Sequence, residues 1–247
     1  MARLSVNLNK IALLRNARHT GVPRLAPFVD LVHAAGARGI TVHPRPDERH
    51  IRRSDVAELA AQIAPWRPAF EYNIEGYPDD RFLDLVETVS PEQVTLVPDA
   101  PGVLTSDEGW RLDGAQTALV TQAVARLRRL GSRVILFIDP DPTVIERVPA
   151  TGADGVEIYT GEYANAFRQG DAAALLDACA ETARRAGERG LAVNIGHDLN
   201  LDNIPPLLAA APTVAEASIG HELTADALML GWRAAVAAYM AALAGGG

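Results

Sequence analysis

Two stretches of this sequence have the composition of acid–base machinery. His43 and His50 bracket the run His43-Pro-Arg-Pro-Asp-Glu-Arg-His50, while His197 and His221 each follow a glycine, as Gly196-His197 and Gly220-His221. An imidazole titrates near neutrality, so it can both accept and donate protons at working pH. His19 and His33 have blander surroundings, and His33 falls in a helical pattern. Two glutamates extend the set. In Glu71-Tyr-Asn-Ile-Glu75, period-2 alternation places Glu71, Asn73 and Glu75 on one side of a strand. If that side faces a closed interior, burial raises the Glu75 pKa toward that of a general base; the competing reading is a solvated Glu75 at the start of a loop. Glu157, between Val156 and Ile158, is the second candidate interior carboxylate, and its competing reading is a structural ion pair with an arginine.

The glycines suggest anion binding. Gly196 and Gly220 let backbone N–H groups approach a phosphate, and two Gly-His pairs at equivalent positions read as one phosphate site. Arg45 and Arg18 offer bidentate forks for a second phosphate. Lys10 is the only lysine, so a Schiff-base mechanism would have to use it. The histidines and a carboxylate could instead hold zinc or iron. No His-x-His follows the first apolar run and no carboxylates cluster, so the reading is no metal.

These residues need a scaffold that gathers them. Short Val/Ile/Leu-rich runs alternate with longer helical patterns along the whole chain, the signature of βα units and a parallel sheet. The strand candidates are Leu4–Val6, Gly39–Val42, Ala69–Tyr72, Gln93–Val97, Arg133–Ile138, Gly155–Ile158, Ala192–Asn194 and Glu216–Ile219. Helical patterns cover Leu25–Ala37, Ser54–Ala64, Asp79–Thr88, Gly114–Leu130, Pro142–Ala150, Asp171–Arg189, Ile204–Ala211 and Thr224–Ala244. Glycines such as Gly36, Gly131 and Gly190 punctuate the helix exits. Eight units without a low-complexity linker predict an α/β fold, a (β/α)8 TIM barrel in a single domain spanning residues 1–247, with a flexible glycine tail at 245–247. The alternative is an open doubly wound sheet. A dinucleotide fold would need Gly-x-Gly-x-x-Gly after its first strand, where this chain has Asn7-Leu8-Asn9-Lys10. Barrel enzymes work at the C-terminal ends of their strands. There the sequence places Asn7, Asn9 and Lys10, then His43 to His50, Asn73 and Glu75, Thr105, Asp139 and Asp141, Glu157 and Thr160, Asn194 and His197, and finally His221.

Composition narrows the partners. A net charge of −8 leaves no broad cationic face for a nucleic acid. One cysteine, Cys179, excludes a disulfide framework and fits a reducing cytoplasm. No signal-peptide segment opens the chain and no apolar run reaches membrane-spanning length, so the expectation is a protein without a membrane partner.

Longer motifs are similar to a known family. Val6-Asn-Leu-Asn-Lys-Ile-Ala-Leu-Leu-Arg-Asn-Ala-Arg18 and Gly39-Ile-Thr-Val-His-Pro-Arg-Pro-Asp-Glu-Arg-His-Ile51 resemble the pyridoxine 5′-phosphate synthases. Asn73-Ile-Glu75, Leu96-Val-Pro98, Leu136-Phe-Ile-Asp139, Val156-Glu-Ile-Tyr-Thr-Gly161, Val193-Asn-Ile-Gly-His197 and Ser218-Ile-Gly-His221 follow in the same order. The resemblance implies a transferase that joins 1-deoxy-D-xylulose 5-phosphate to 3-amino-2-oxopropyl phosphate, with loss of phosphate and water. It implies no metal or organic cofactor, and a homo-oligomer, typically an octamer. By position, His43 and Glu75 resemble the general bases, His197 the general acid and Glu157 the transition-state stabiliser. Asn7, Arg18, Arg45, His50, Thr105, Gly220 and His221 resemble substrate or phosphate ligands, with Gly196 beside them.

Three departures bear on the site. Many members have Asp-His where this chain has Asn9-Lys10, and Gly where it has Asp198; the segment from Glu222 to Asp226 is more acidic. The expectation is that Lys10 takes over a histidine's contact. Asp198 and Glu222 would repel a phosphate unless they point away. The segment Asp99–Arg111 is the candidate lid. Two other functions stay open on the residues alone: another phosphosugar barrel, epimerase or aldolase, and a non-catalytic vitamer-phosphate binder.

Overall fold

The computed structural model describes residues 1–99 and 108–245. Eight parallel strands close into a barrel in chain order. They are β1 (Arg3–Asn7), β2 (Gly39–Val42), β3 (Glu71–Gly76), β4 (Gln93–Leu96), β5 (Arg133–Ile138), β6 (Gly155–Tyr159), β7 (Ala192–Gly196) and β8 (Glu216–Ile219). β8 returns to pair with β1, Ser5 opposite Ser218. Both strand faces are buried. Ile40, Val42, Ile74, Val94, Leu136, Val156 and Ile158 point outward and are sealed under the helices.

The interior face is polar, unlike the branched apolar layers usual in such barrels. At the N-terminal end, Arg3 and Arg133 pair with Glu71. Beside them the Gln93 amide donates to Glu216 and accepts from Arg133. One layer up, Ser5, Thr41, Asn73 and Thr95 form a chain of hydrogen bonds. Each buried dipole in these two layers finds a partner, which is the condition for keeping it inside. The third layer, at the C-terminal mouth, carries Asn7, Glu75 and Glu157.

Among the described residues there are eleven α-helices: α1 (Asn9–Asn16), α2 (Ala26–Ala34), α3 (Arg53–Ile63), α4 (Asp80–Glu87), α5 (Gly114–Arg128), α6 (Val148–Thr151), α7 (Gly161–Gln169), α8 (Ala173–Glu188), α9 (Ile204–Ala210), α10 (His221–Leu230) and α11 (Trp232–Ala244). The sequence pattern missed α1 and α7. In α1 the leucines Leu13 and Leu14 face outward while Arg15 is buried, which inverts the apolar stripe that marks a helix. The single helix expected over Thr224–Ala244 breaks at Gly231, where φ is +83° and the chain turns from α10 into α11. The expected helix Pro142–Ala150 is instead a 3-10 turn, Val144–Arg147, running into the one-turn α6. β3 also starts later and runs further than expected, because the turn at Trp66 continues until Phe70 N–H donates to the Trp66 carbonyl. Glu75 therefore lies within a strand, not in a loop. No described helix is long and apolar enough to cross a membrane.

Candidate active site

The C-terminal mouth of the barrel opens on a cavity of about 680 Å³. Its floor follows from the alternation of the strands: Asn7, Glu75, Phe137, Glu157, Tyr159 and Ser218 are the inward residues at the upper ends of β1, β3, β5, β6 and β8, with Gly220 just past β8. Loop residues complete the wall, with Asn9 and Lys10 from the start of α1, and His43, Arg45, Arg49 and His50 from the loop after β2. His197, Asp198 and His221 close the far side.

Hydrogen bonds fix this geometry from below. The Asn7 side-chain oxygen accepts from Asn9 N–H, and Asn7 Nδ2 donates to Glu75 Oε2 at 3.4 Å. Asn9 Oδ1 accepts from the His43 backbone N–H at 2.9 Å, so this side chain sets where the β2 loop begins. His43 Nδ1 then lies 3.9 Å from Glu75 Oε2. The His50 ring sits 6.0 Å from the His43 ring. The loop that carries His50 hangs on α1. Arg15, locked to Asp55 by a buried two-pronged ion pair, donates to the His50 carbonyl. The Asn16 amide reaches the carbonyls of Glu48, Arg49 and His50.

Across the cavity, His197 rests against Phe137 and Tyr159, with ring centroids 4.9 and 5.3 Å away. Its backbone has φ +80° and the next residue, Asp198, +56°, a left-handed pair that only surrounding contacts can hold. Those contacts are the Thr160 hydroxyl, shared between the Gly196 and His197 carbonyls, and Asn203 Nδ2 on the Asp198 carbonyl. Arg45 is anchored by Asp99, Nη1 to Oδ2 at 2.9 Å, with both side chains buried.

Burial sets the protonation states. It pushes the Glu75 carboxyl up to about 7, with the Asp99 charge adding to the effect and the Asn7 hydrogen bond opposing it. Glu157 is raised well above the usual carboxylate range by burial, then by the charges of Glu75 and Glu216. Burial, reinforced by His50 and Arg45, holds His43 well below the ordinary imidazole value. Burial and Arg45 lower His50 to about 4. His197 is lowered by burial, partly offset by Asp198 and Asp99. The cavity thus combines neutral imidazoles, a carboxyl poised near neutrality and a second carboxyl that strongly favours its proton.

The structure gathers most of the expected residues here, with three differences. Arg18, just beyond α1, is exposed and does not line the cavity. Thr105 lies outside the described residues, as does most of the expected lid Asp99–Arg111. Gly196 sits below the cavity wall. The space its missing side chain leaves is filled by Glu157, whose Oε1 lies 2.3 Å from where a Cβ would be. Glu222 turns away from the mouth to pair with Arg168, whereas Asp198 stays on the cavity wall. Sequence reasoning passed over Phe137, Tyr159 and Ser218, although stepping by two from Ile135, Glu157 and Glu216 points to each. It also passed over Asp99, Arg15 and Asn16, whose parts depend on contacts between remote segments.

A closed parallel barrel with acid–base groups and cationic side chains around its C-terminal mouth defines an α/β-barrel enzyme that handles small anionic substrates. Residues 4–245 match the family described as "Pyridoxal phosphate biosynthesis protein PdxJ". The pyridoxine 5′-phosphate synthase of Brucella suis (strain ATCC 23445) is 52% identical over 245 residues, 99% of each chain. That of Brucella anthropi is 50% identical over 244 residues, 98% of this chain and 99% of its own. The structure of the Amycolatopsis orientalis BexX/CysO complex superposes with a TM-score of 0.62 at 16% identity, over 100% of this chain and 91% of that one, and shares the fold alone. The chain belongs to the PdxJ family.

Proposed function

We propose that this protein condenses 1-deoxy-D-xylulose 5-phosphate with 3-amino-2-oxopropyl phosphate to form pyridoxine 5′-phosphate, releasing one phosphate and water. The observation that carries the reading is the buried His43–Glu75 pair, 3.9 Å apart on the floor of a cavity walled by cationic groups, in a chain that shares half its residues with synthases of that name. The same match favours the synthase over an epimerase, an aldolase or a vitamer-phosphate binder.

The chemistry needs side chains that move protons. A substrate amine must lose a proton to attack the ketone, a hydroxyl and the carbinolamine oxygen must leave as water, and ring closure needs a proton removed beside an imine. His43, kept neutral by burial, and Glu75, near neutrality, serve as the bases. His197, neutral at rest, serves as the acid once it has taken up a proton during the cycle: burial depresses its pKa, so the imidazolium gives that proton up readily. Glu157 stabilises the oxygen that develops charge. One phosphate is bound by Gly220 and His221 where α10 begins, since a helix N-terminus favours anions. The other is bound by Arg45, His50 and Lys10, with Asn7 and Asn9 positioning the loop between them. Holding both partners in register replaces a bimolecular encounter, worth about 7–11 kcal/mol at best.

The protein acts as a single-domain cytoplasmic homo-oligomer, an octamer. Supporting this, Leu13 and Leu14 on α1 and Leu228, Met229 and Leu230 on the adjacent α10 are exposed, a patch that association would cover. Light scattering at micromolar concentration tests the assembly. The activity is tested by incubating the protein with both substrates and identifying the product by mass and absorbance. Pyridoxine 5′-phosphate formed only when both are present supports the proposal; its absence refutes it.

A further inference from the structure

The Glu157 carboxyl is enclosed by the barrel, 1% exposed, yet borders the cavity. Its Oε2 has no hydrogen-bond partner. Among the described residues no arginine, lysine or histidine nitrogen lies within 4.0 Å of it. The charges that act on it are those of Glu75 from β3 and Glu216 from β8, both acidic. Its register neighbours are Phe137 on β5 and Asn194 on β7. Gly196, also on β7, leaves the space that Oε1 occupies. A structural ion pair, the alternative use of such a glutamate, is therefore not made. A buried carboxylate under the influence of two other carboxylates and without a paired cation is among the costliest groups a fold can hold, whereas the neutral acid has one O–H to donate and little charge to desolvate.

We propose that Glu157 works as a neutral carboxylic acid that keeps its proton throughout the reaction and donates a hydrogen bond from its unpartnered edge to a substrate oxygen as that oxygen gains negative charge. This rests on the assignment of the cavity as the condensation site and specifies the form in which Glu157 acts there. An uncharged donor suits the place: it stabilises a developing oxyanion without binding the phosphates of the ground state, so its contribution falls on kcat and not on KM. The division of labour on the floor follows. Glu75, the carboxyl nearer to neutrality, exchanges protons, and its charge when ionised further discourages ionisation of Glu157.

Two variants separate this from an ionised or proton-transferring Glu157. Glu157→Gln keeps a donor N–H in nearly the same volume, whereas Glu157→Ala removes the donor. The expected loss in kcat for Glu157→Ala is about 10²–10³-fold, the usual effect of deleting an oxyanion donor, and Glu157→Gln should lose at least about tenfold less. Equal losses in the two variants would overturn the proposal. An independent readout needs neither substrate nor turnover. Infrared spectra of the resting protein with carboxyl-13C-labelled glutamate should contain a protonated-carboxyl C=O band that persists at pH 8 and disappears in Glu157→Gln. Loss of that band from wild type by pH 8 would also overturn it. Should the wild type fail to turn over the substrate pair, the functional assignment falls, while the infrared band still decides the protonation state.

Discussion

Replacing Gly196 by alanine tests how the cavity floor is built. The new methyl would stand 2.3 Å from Glu157 Oε1 and 3.2 Å from its Cδ. Ordinary contact begins at 3.4 Å, so something must withdraw by about 1 Å. The strand is poorly placed to move. Gly196 pairs with Tyr159 on one side and Ser218 on the other, and its carbonyl accepts from both the backbone and hydroxyl of Thr160. The displacement therefore falls on the Glu157 carboxyl. A misplacement of about 1 Å can cost about 100-fold in rate, and overpacking costs roughly 1–3 kcal/mol of stability. Gly196→Ala should thus lower kcat by about two orders of magnitude with little change in KM. Glu157→Ala in the same chain removes the clashing atoms, so a double-mutant cycle followed by urea unfolding should show a coupling of about 1–2 kcal/mol. If a phosphate approached Gly196 instead, KM and inhibition by inorganic phosphate would change, and by the same amount whether Glu157 is kept or replaced by alanine. A Gly196→Ala protein with wild-type kcat and stability would refute the reasoning.

Further outcomes follow from the same geometry. Because Glu75 must be ionised to act as a base, kcat/KM should rise with pH through about 7, and Glu75→Gln should abolish that limb along with most activity. The raised Glu75 pKa means the folded state holds this proton more tightly than the unfolded chain. Its contribution to stability is present below about 4.5 and is lost as pH rises through about 7, so ΔG against pH should be flatter in Glu75→Gln. His50 has the opposite sign. Held near 4 in the fold, it contributes above the ordinary 6.5 and loses that contribution as pH falls toward 4, on the order of 3 kcal/mol; urea unfolding of His50→Gln at pH 4 and pH 7 measures the difference. Asp55→Ala strands the buried Arg15 guanidinium and should cost roughly 3–5 kcal/mol in urea unfolding. It should also raise KM, because Arg15 holds the His50 carbonyl.

The barrel was legible because its signals are local: eight apolar runs, alternation within each, and glycines at helix exits. Alternation also put Glu75 and Glu157 inside, and following it further would have found Phe137, Tyr159 and Ser218. Two kinds of feature were not legible. α1 hides because its outward leucines and buried Arg15 reverse the usual stripe, a pattern that makes sense only once Asp55 and the loop carbonyls at Glu48 to His50 are seen beside it. Residue type suggested ligands at Gly196 and Asn9, and the contacts both make within the protein, Asn9 from the cavity wall, could not be read from it. Gly196 makes room for Glu157, and Asn9 caps the His43 N–H. Which loop residues face substrate is set by hydrogen bonds between remote segments, spanning 34 positions from Asn9 to His43 and 32 from Asn16 to Glu48, and no short window of sequence contains them.

The proposed activity depends most on the buried imidazole and carboxyl at the cavity floor acting on the two phosphorylated substrates. The direct test is to follow pyridoxine 5′-phosphate and inorganic phosphate together, with wild type and His43→Ala side by side. Wild type should release one phosphate for each pyridoxine 5′-phosphate, and His43→Ala should be slower by about 10²–10⁴-fold while its fold is retained. Turnover by His43→Ala at the wild-type rate, or phosphate release without the pyridoxine product, would contradict the account.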